Sequence, residues 1–215
     1  ANPSATPSPG GTPSQTPIPG GPTTNVPVQS RTTVLAAGPR VKIDTPSISG
    51  SIALTGGRID DVALVKYRET VDPKSPAIEL FSPSGTKEPF YAEFGFVPAA
   101  GATTKMPDKD TVWKQEGANA LTPTTPVTLS WNNGQGLTFK RTISIDDKYL
   151  FTIKDDASNA GDAPVTLYPF GLTPRHGTPP VSGYYILHAG LTGVMGDQGL
   201  QEYCYKKTYD AKPVK

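Results

Sequence analysis

The chain holds 215 residues, enough for one domain with a sizeable core or for two small ones. Its 20 Lys and Arg balance 19 Asp and Glu for a net charge of +1, so no global field recruits DNA or RNA, and nucleic acid is not an expected partner. One cysteine, Cys204, leaves no intramolecular disulfide, and no apolar run approaches the ~20 residues that cross a bilayer, so the chain as it stands reads as soluble and stabilised by packing.

From Ala1 to Ser30 there is no charged residue, and eight prolines alternate with Gly, Ser and Thr in units such as TPSPGGTPSQTPIPGG. Proline fixes φ and cannot feed a ladder hydrogen bond, while the small polar residues bury too little area to offset ordering entropy. Residues 1–33 are therefore expected to form a disordered, uncharged linker that holds residues 34–215, one folded domain, away from a surface. A Pro-rich ligand for an SH3-like partner is the sharper alternative, but proline this dense produces PxxP matches on its own. Ala1 does not open a basic, then apolar, signal peptide.

From about Val34 the pattern changes to short alternating segments with turn signals, and no stretch sustains a 3.6-residue apolar period. Val41 and Ile43 alternate with Lys42 and Asp44; Ile48, Ile52 and Leu54 follow; Ile59, Val62 and Leu64 resume after the turn Thr55-Gly56-Gly57. Phe90 to Val97 alternates aromatic with small or charged residues, and a short strand is expected from Thr111 to Gln115 around Trp113. Val127–Trp131 and Leu137–Ile145 flank Asn132-Asn133-Gly134-Gln135-Gly136, where Asn-Gly offers the positive φ values of a primed hairpin turn. A second hairpin turns at Asp146-Asp147-Lys148 and returns through Tyr149–Lys154, with Leu150, Thr152 and Lys154 on one face, and Val165–Phe170 is a further strand. The expectation is an all-β, antiparallel β-sandwich rather than alternating βα units.

Each chemistry-bearing group has a structural reading that competes with a functional one. The pairs Asp60-Asp61, Asp146-Asp147 and Asp155-Asp156 suggest a cation site or acid/base carboxylates, but adjacent strand residues face opposite ways unless a bulge intervenes, and Asp near strand ends caps turns. The only histidines are His176, in the Pro-flanked loop TPRHGTPP, and His188, which reads as a strand residue in YYILHAG. Cys204 reads as a buried small hydrophobe between Tyr203 and Tyr205. Gly190, Gly193, Gly196 and Gly199 lack the spacing and flanking residues of a phosphate or dinucleotide loop and read as positions of tight turns and close backbone approach. Tyr91, Phe94, Phe96, Trp113 and Trp131 fit core filling better than an exposed groove. The cluster Lys206, Lys207, Lys212, Lys215 reads as a solvated end. No catalytic, cofactor-binding or metal-ligating residue is assigned, no cofactor is expected, and the partner-binding surface is not located by the sequence.

Three separated blocks carry more information: RVKIDTPSISGSIALTGGRIDD from Arg40 to Asp61, SPSGTKEPFYAEFGFVP from Ser82 to Pro98, and GYYILHAGLTGVMGDQGLQEYCY from Gly183 to Tyr205. In this order they resemble the periplasmic domain of the bacterial YidC membrane-protein insertase, in its alphaproteobacterial form. The resemblance implies a large super-sandwich similar to the galactose mutarotase fold. It also implies that the chain is C-terminally truncated, with one transmembrane helix before Ala1 and five after the domain. It further implies a non-enzymatic accessory role at the periplasmic face of the inner membrane, with contacts to the Sec translocon components SecD and SecF, to SecY as a further candidate, and to nascent membrane proteins through the full-length protein. A chaperone-like module for unfolded periplasmic segments and a mutarotase-like sugar enzyme are the alternatives.

Overall fold

The computed structural model describes residues 28–179, 188–194 and 196–205. The expected linker up to Pro27, the cluster from Lys206 to Lys215 and residues 180–187 lie outside the described residues. Among the described residues one short α-helix, α1 (Arg31–Ala36), precedes thirteen strands: β1 (Arg40–Asp44), β2 (Ile48–Ala53), β3 (Arg58–Arg68), β4 (Ala77–Phe81), β5 (Glu93–Pro98), β6 (Lys114–Glu116), β7 (Ala120–Leu121), β8 (Val127–Asn132), β9 (Leu137–Ile145), β10 (Phe151–Asn159), β11 (Leu167–Leu172), β12 (Gly190–Val194) and β13 (Leu200–Cys204).

Hydrogen bonding orders these strands as a five-stranded sheet β4-β3-β2-β1-β7, a four-stranded sheet β10-β9-β8-β6, and the pairs β11-β5 and β12-β13. All named pairings are antiparallel except β1 with β7. Alternation places Val41, Ile43, Ile48, Ile52, Ile59 and Val62 of the first sheet in one buried cluster with Leu121, Val127, Leu129, Leu137, Phe139, Ile143 and Ile145. Two sheets thus bury their apolar faces against one another, which makes the fold an all-β sandwich.

The hairpin joining β8 and β9 forms where the sequence places it, but by a different device. Positive φ falls on Gly134 and Gly136, while Asn133 keeps φ negative and turns its side chain inward. Its Oδ1 accepts from the amides of Gln135 (2.7 Å) and Leu137 (3.0 Å), and its Nδ2 donates to the Lys105 carbonyl (3.2 Å). The β9–β10 corner is closed by Asp146, whose Oδ1 accepts from the amides of Lys148 and Leu150.

Three elements escape the alternation pattern. In α1, Ser30 is the N-cap, its Oγ accepting from the Thr33 amide at 3.2 Å, and six residues are too few to display a helical period. Strand β4 carries a charge at Glu79 and is only partly buried, and β7 is two residues long. The segment expected around Trp113 begins pairing earlier than β6 itself: the Trp113 amide donates to the Leu54 carbonyl and the Gly56 amide to the Thr111 carbonyl.

Strand β9 buries every second residue, and Arg141 takes one of these inward positions with 0% exposure. Its guanidinium forms a bidentate pair with Asp155, directly opposite on β10 (2.7 and 2.8 Å), and donates to the carbonyls of Gly57 (3.0 Å) and Phe94 (2.6 Å). It also stacks over Trp113 at 5.1 Å. Gly57 has φ +60°, and a Cβ there would lie 3.0 Å from Arg141 Nη1 and 3.1 Å from Trp113 Nε1. The Asp155→Ala variant is expected to lose about 3–5 kcal/mol of stability, because it strands a buried charge. Gly57→Ala is expected to lose about 2 kcal/mol, from strained backbone and overpacking together. Urea unfolding followed by tryptophan fluorescence measures both, and a loss below about 1 kcal/mol for Asp155→Ala would refute the assigned role.

Candidate functional site

The outer face of the five-stranded sheet carries a buried ionic cluster. The register between β2 and β3 shifts between Ser51 and Ile52, so Asp61 opposes Ser51, Ile59 opposes Ile52, and Asp60 is the extra residue. The bulge lets adjacent carboxylates join one network. Arg40 Nη2 pairs with Asp60, Arg40 Nε donates to Ser51 Oγ (2.6 Å), and Ser51 Oγ donates to Asp61 Oδ2 (2.6 Å). Arg31 closes the cluster from α1, pairing with Asp61 and, at 3.3 Å, with Glu79 of β4. Asp60 and Asp61 are therefore not turn caps, as expected from the sequence: Asp60 holds Arg40 of β1, and Asp61 docks α1 on the sheet through Arg31.

Of the other acidic pairs, Asp146 serves the turn, while Asp155 belongs to the Arg141 node and Asp156 pairs with Lys154 at 3.1 Å. Among the described residues no group of three or more His, Cys, Asp and Glu side chains is placed to hold a metal ion. The two histidines have different neighbourhoods. His176 donates its amide to the Pro89 carbonyl, whereas His188 lies two residues before β12 rather than within a strand, with Nδ1 3.7 Å from Cys204 Sγ. Cys204 itself is half-buried.

Gly190 sits where a Cβ would clash with the Tyr203 carbonyl, and Gly196 and Gly199 take positive φ in the β12–β13 connection. The five aromatic candidates do not form a groove. Tyr91 and Trp113 are buried, Phe94, Phe96 and Trp131 pack against the core, and Phe139 gathers Phe96 (5.7 Å) and Trp131 (5.8 Å).

A groove exists elsewhere, beside β4. A cavity of about 500 Å³ is lined by Ile78, Glu79 and Leu80 together with Arg31, Phe90 and Arg175. Phe90 is fixed by backbone bonds to Ser82 in both directions and by an edge-on contact with Phe81 at 4.9 Å, and Arg175 lies over its ring at 4.6 Å. A smaller cavity of about 240 Å³ continues past Arg175 to Lys87, Glu88 and His176. Nothing in the sequence singles out this surface; the segment beside it is bounded by Pro76 and Pro83 and carries one charge, Glu79.

Burial and cations pull the Asp60 carboxyl in opposite directions. Desolvation is the larger effect and, with the neighbouring Asp61 charge, holds Asp60 above its ordinary value of 3.8 despite Arg40. Asp108 goes the other way, lowered chiefly by the hydrogen bond from the Thr111 hydroxyl. A carboxyl raised on folding leaves the folded state richer in protons than the unfolded one, so its contribution to stability falls as pH climbs through the interval between the two values. Apart from a constant offset for the lost ion pair, Asp60→Asn is expected to gain stability relative to the parent as pH rises above 3.8. Urea midpoints of both proteins across the acid range test this, and a difference independent of pH refutes it.

Comparison with known proteins agrees with this architecture. A family model described as the YidC periplasmic domain matches residues 40–215. The membrane protein insertase YidC of Bradyrhizobium diazoefficiens is 69% identical over 187 residues, which are 87% of this chain and 30% of that protein. Its counterpart in Nitrobacter hamburgensis is 67% identical over 87% of this chain and 31% of that protein, and the one in Rhizobium meliloti 48% identical over 86% and 31%. The chain thus spans about a third of the length of these relatives. With its all-β sandwich and a family match that runs from the first strand onward, the chain belongs to the YidC periplasmic domain family.

Proposed function

We propose that the chain is a non-catalytic docking domain of a YidC-type insertase, acting at the periplasmic face of the inner membrane. It supports insertion and folding of inner-membrane proteins through contacts with SecD and SecF, and with SecY as a further partner. Nascent membrane proteins are handled by the full-length protein. The observation that carries this reading is the family match over residues 40–215. Its polar chemistry supports it as well: the buried charged side chains Asp60, Asp61, Glu93 and Arg141 are all held by internal ion pairs, so they serve the fold. Among the described residues no helix is long and apolar enough to cross a membrane.

Affinity capture from detergent-solubilised inner membrane, with the 215-residue chain as bait, tests the reading. Enrichment of SecD and SecF over a bait carrying Asp155→Ala, which loosens the fold, is the expected result. A parent bait that is folded by circular dichroism and recovers neither protein would overturn the docking role.

A further inference from the structure

Strand β4 ends the five-stranded sheet, and among the described residues no backbone partner outside β3 reaches Ile78, Glu79 or Leu80. The register with β3 steps between Val62 and Ala63, so Leu80 is left without a partner on β3 as well. A free edge of this kind presents backbone donors and acceptors in a row, and a second extended polypeptide matches that row along its length. The cavity of about 500 Å³ lies against this edge. Ile78, Glu79 and Leu80 all line it, and three consecutive strand residues do not project from one face, so the cavity runs along the strand's rim.

The groove is electrically polarised along β4. At the Ala77 end stands Glu69, whose amide bonds the Pro76 carbonyl. At the Phe81 end stand Lys87, Arg175 and His176, with Glu88 as the carboxylate facing the same space. The middle is neutralised, because Glu79 pairs with Arg31. Arg175 is held in place by stacking on Phe90 and by the backbone bridge between the two residues, and no carboxylate among the described residues lies in ion-pair range of it. A guanidinium held by stacking, with no carboxylate at hand among the described residues, is preorganised for one.

We propose that this groove binds an extended polypeptide segment that adds a strand to β4 and sets an acidic side chain against Arg175. The inference stands on the groove and not on Sec docking: a chain that recovers SecD and SecF but binds no peptide loses the groove alone, and the reverse result loses the docking alone.

The probe is a fluorescein-labelled peptide of about nine alternating Val and Thr residues, a common strand length, with two glutamates in one half. Polarisation with the 215-residue chain is expected to show binding that weakens as ionic strength rises. Replacing the glutamates by lysines, or introducing Arg175→Glu, is expected to weaken it by about tenfold or more. Lys87→Glu, at an exposed position, gives a second charge reversal should Arg175→Glu fail to fold. Leu80→Pro is expected to abolish binding while leaving the melting temperature near that of the parent, since proline is tolerated at a sheet edge. Amide shifts on titration are expected at Ile78–Leu80 and Arg175. Equal binding of the lysine peptide, indifference to both charge reversals, shifts located elsewhere, or full competition by inorganic phosphate or phosphatidylglycerol vesicles would overturn the proposal. The last result would mark a simple anion site.

Discussion

The sandwich is organised around one buried cation. Removing a guanidinium from water costs several kcal/mol, and Arg141 offsets that cost only when every partner is in place at once. Those partners come from distant parts of the chain: Asp155 from β10, the Gly57 carbonyl from the turn between β2 and β3, and the Phe94 carbonyl from β5. The interaction therefore fixes the relative position of three separate sheets, which apolar contacts alone, being non-directional, do not. It also dictates residues that make no ionic contact. Trp113 supplies the ring on which the cation lies, and position 57 favours glycine because its φ is +60° and a Cβ there would crowd the guanidinium and the indole.

This node shows how far the sequence could be read. Alternation located β1, β8 and β9, and the same alternation, carried through Leu137, Phe139, Arg141, Ile143 and Ile145, points Arg141 inward. A charged residue amid four apolar ones reads as an outlier until its cross-strand partner Asp155 is known, and that pairing depends on the register of a hairpin. The Asp60-Asp61 pair failed for a related reason. The rule that neighbours face opposite ways holds for regular strands, and a single extra residue opposite Ser51 and Ile52 suspends it. Bulges have no composition signature strong enough to be seen in one sequence. The β4 groove was invisible because its walls come from α1, the Thr86–Phe90 segment and Arg175, which only tertiary folding brings together.

Charge inside the fold and charge at the groove play different parts. Arg40, Arg58 and Arg141 each have a carboxylate at hand and are largely buried, so they define geometry and offer nothing to a partner. Arg175 lies instead against an aromatic face, the Phe90 ring, with no anion in ion-pair range among the described residues. A large sandwich scaffold supports unrelated activities in other settings, so its functional content resides in such local differences and not in the fold.

The docking of α1 has a mechanical consequence. Load arriving along the chain from residue 28 first meets the backbone bond from Gln29 to Gly85, and then the Arg31 contacts with Asp61, Glu79 and the Phe81 carbonyl. Beyond them it enters β1, which is not an edge but lies between β2 and β7. Detaching the front of the domain by pulling thus requires shearing a strand hydrogen-bonded on both sides, after a sacrificial ionic clasp has given way. The end of the domain nearest its preceding segment is built to hold position under tension.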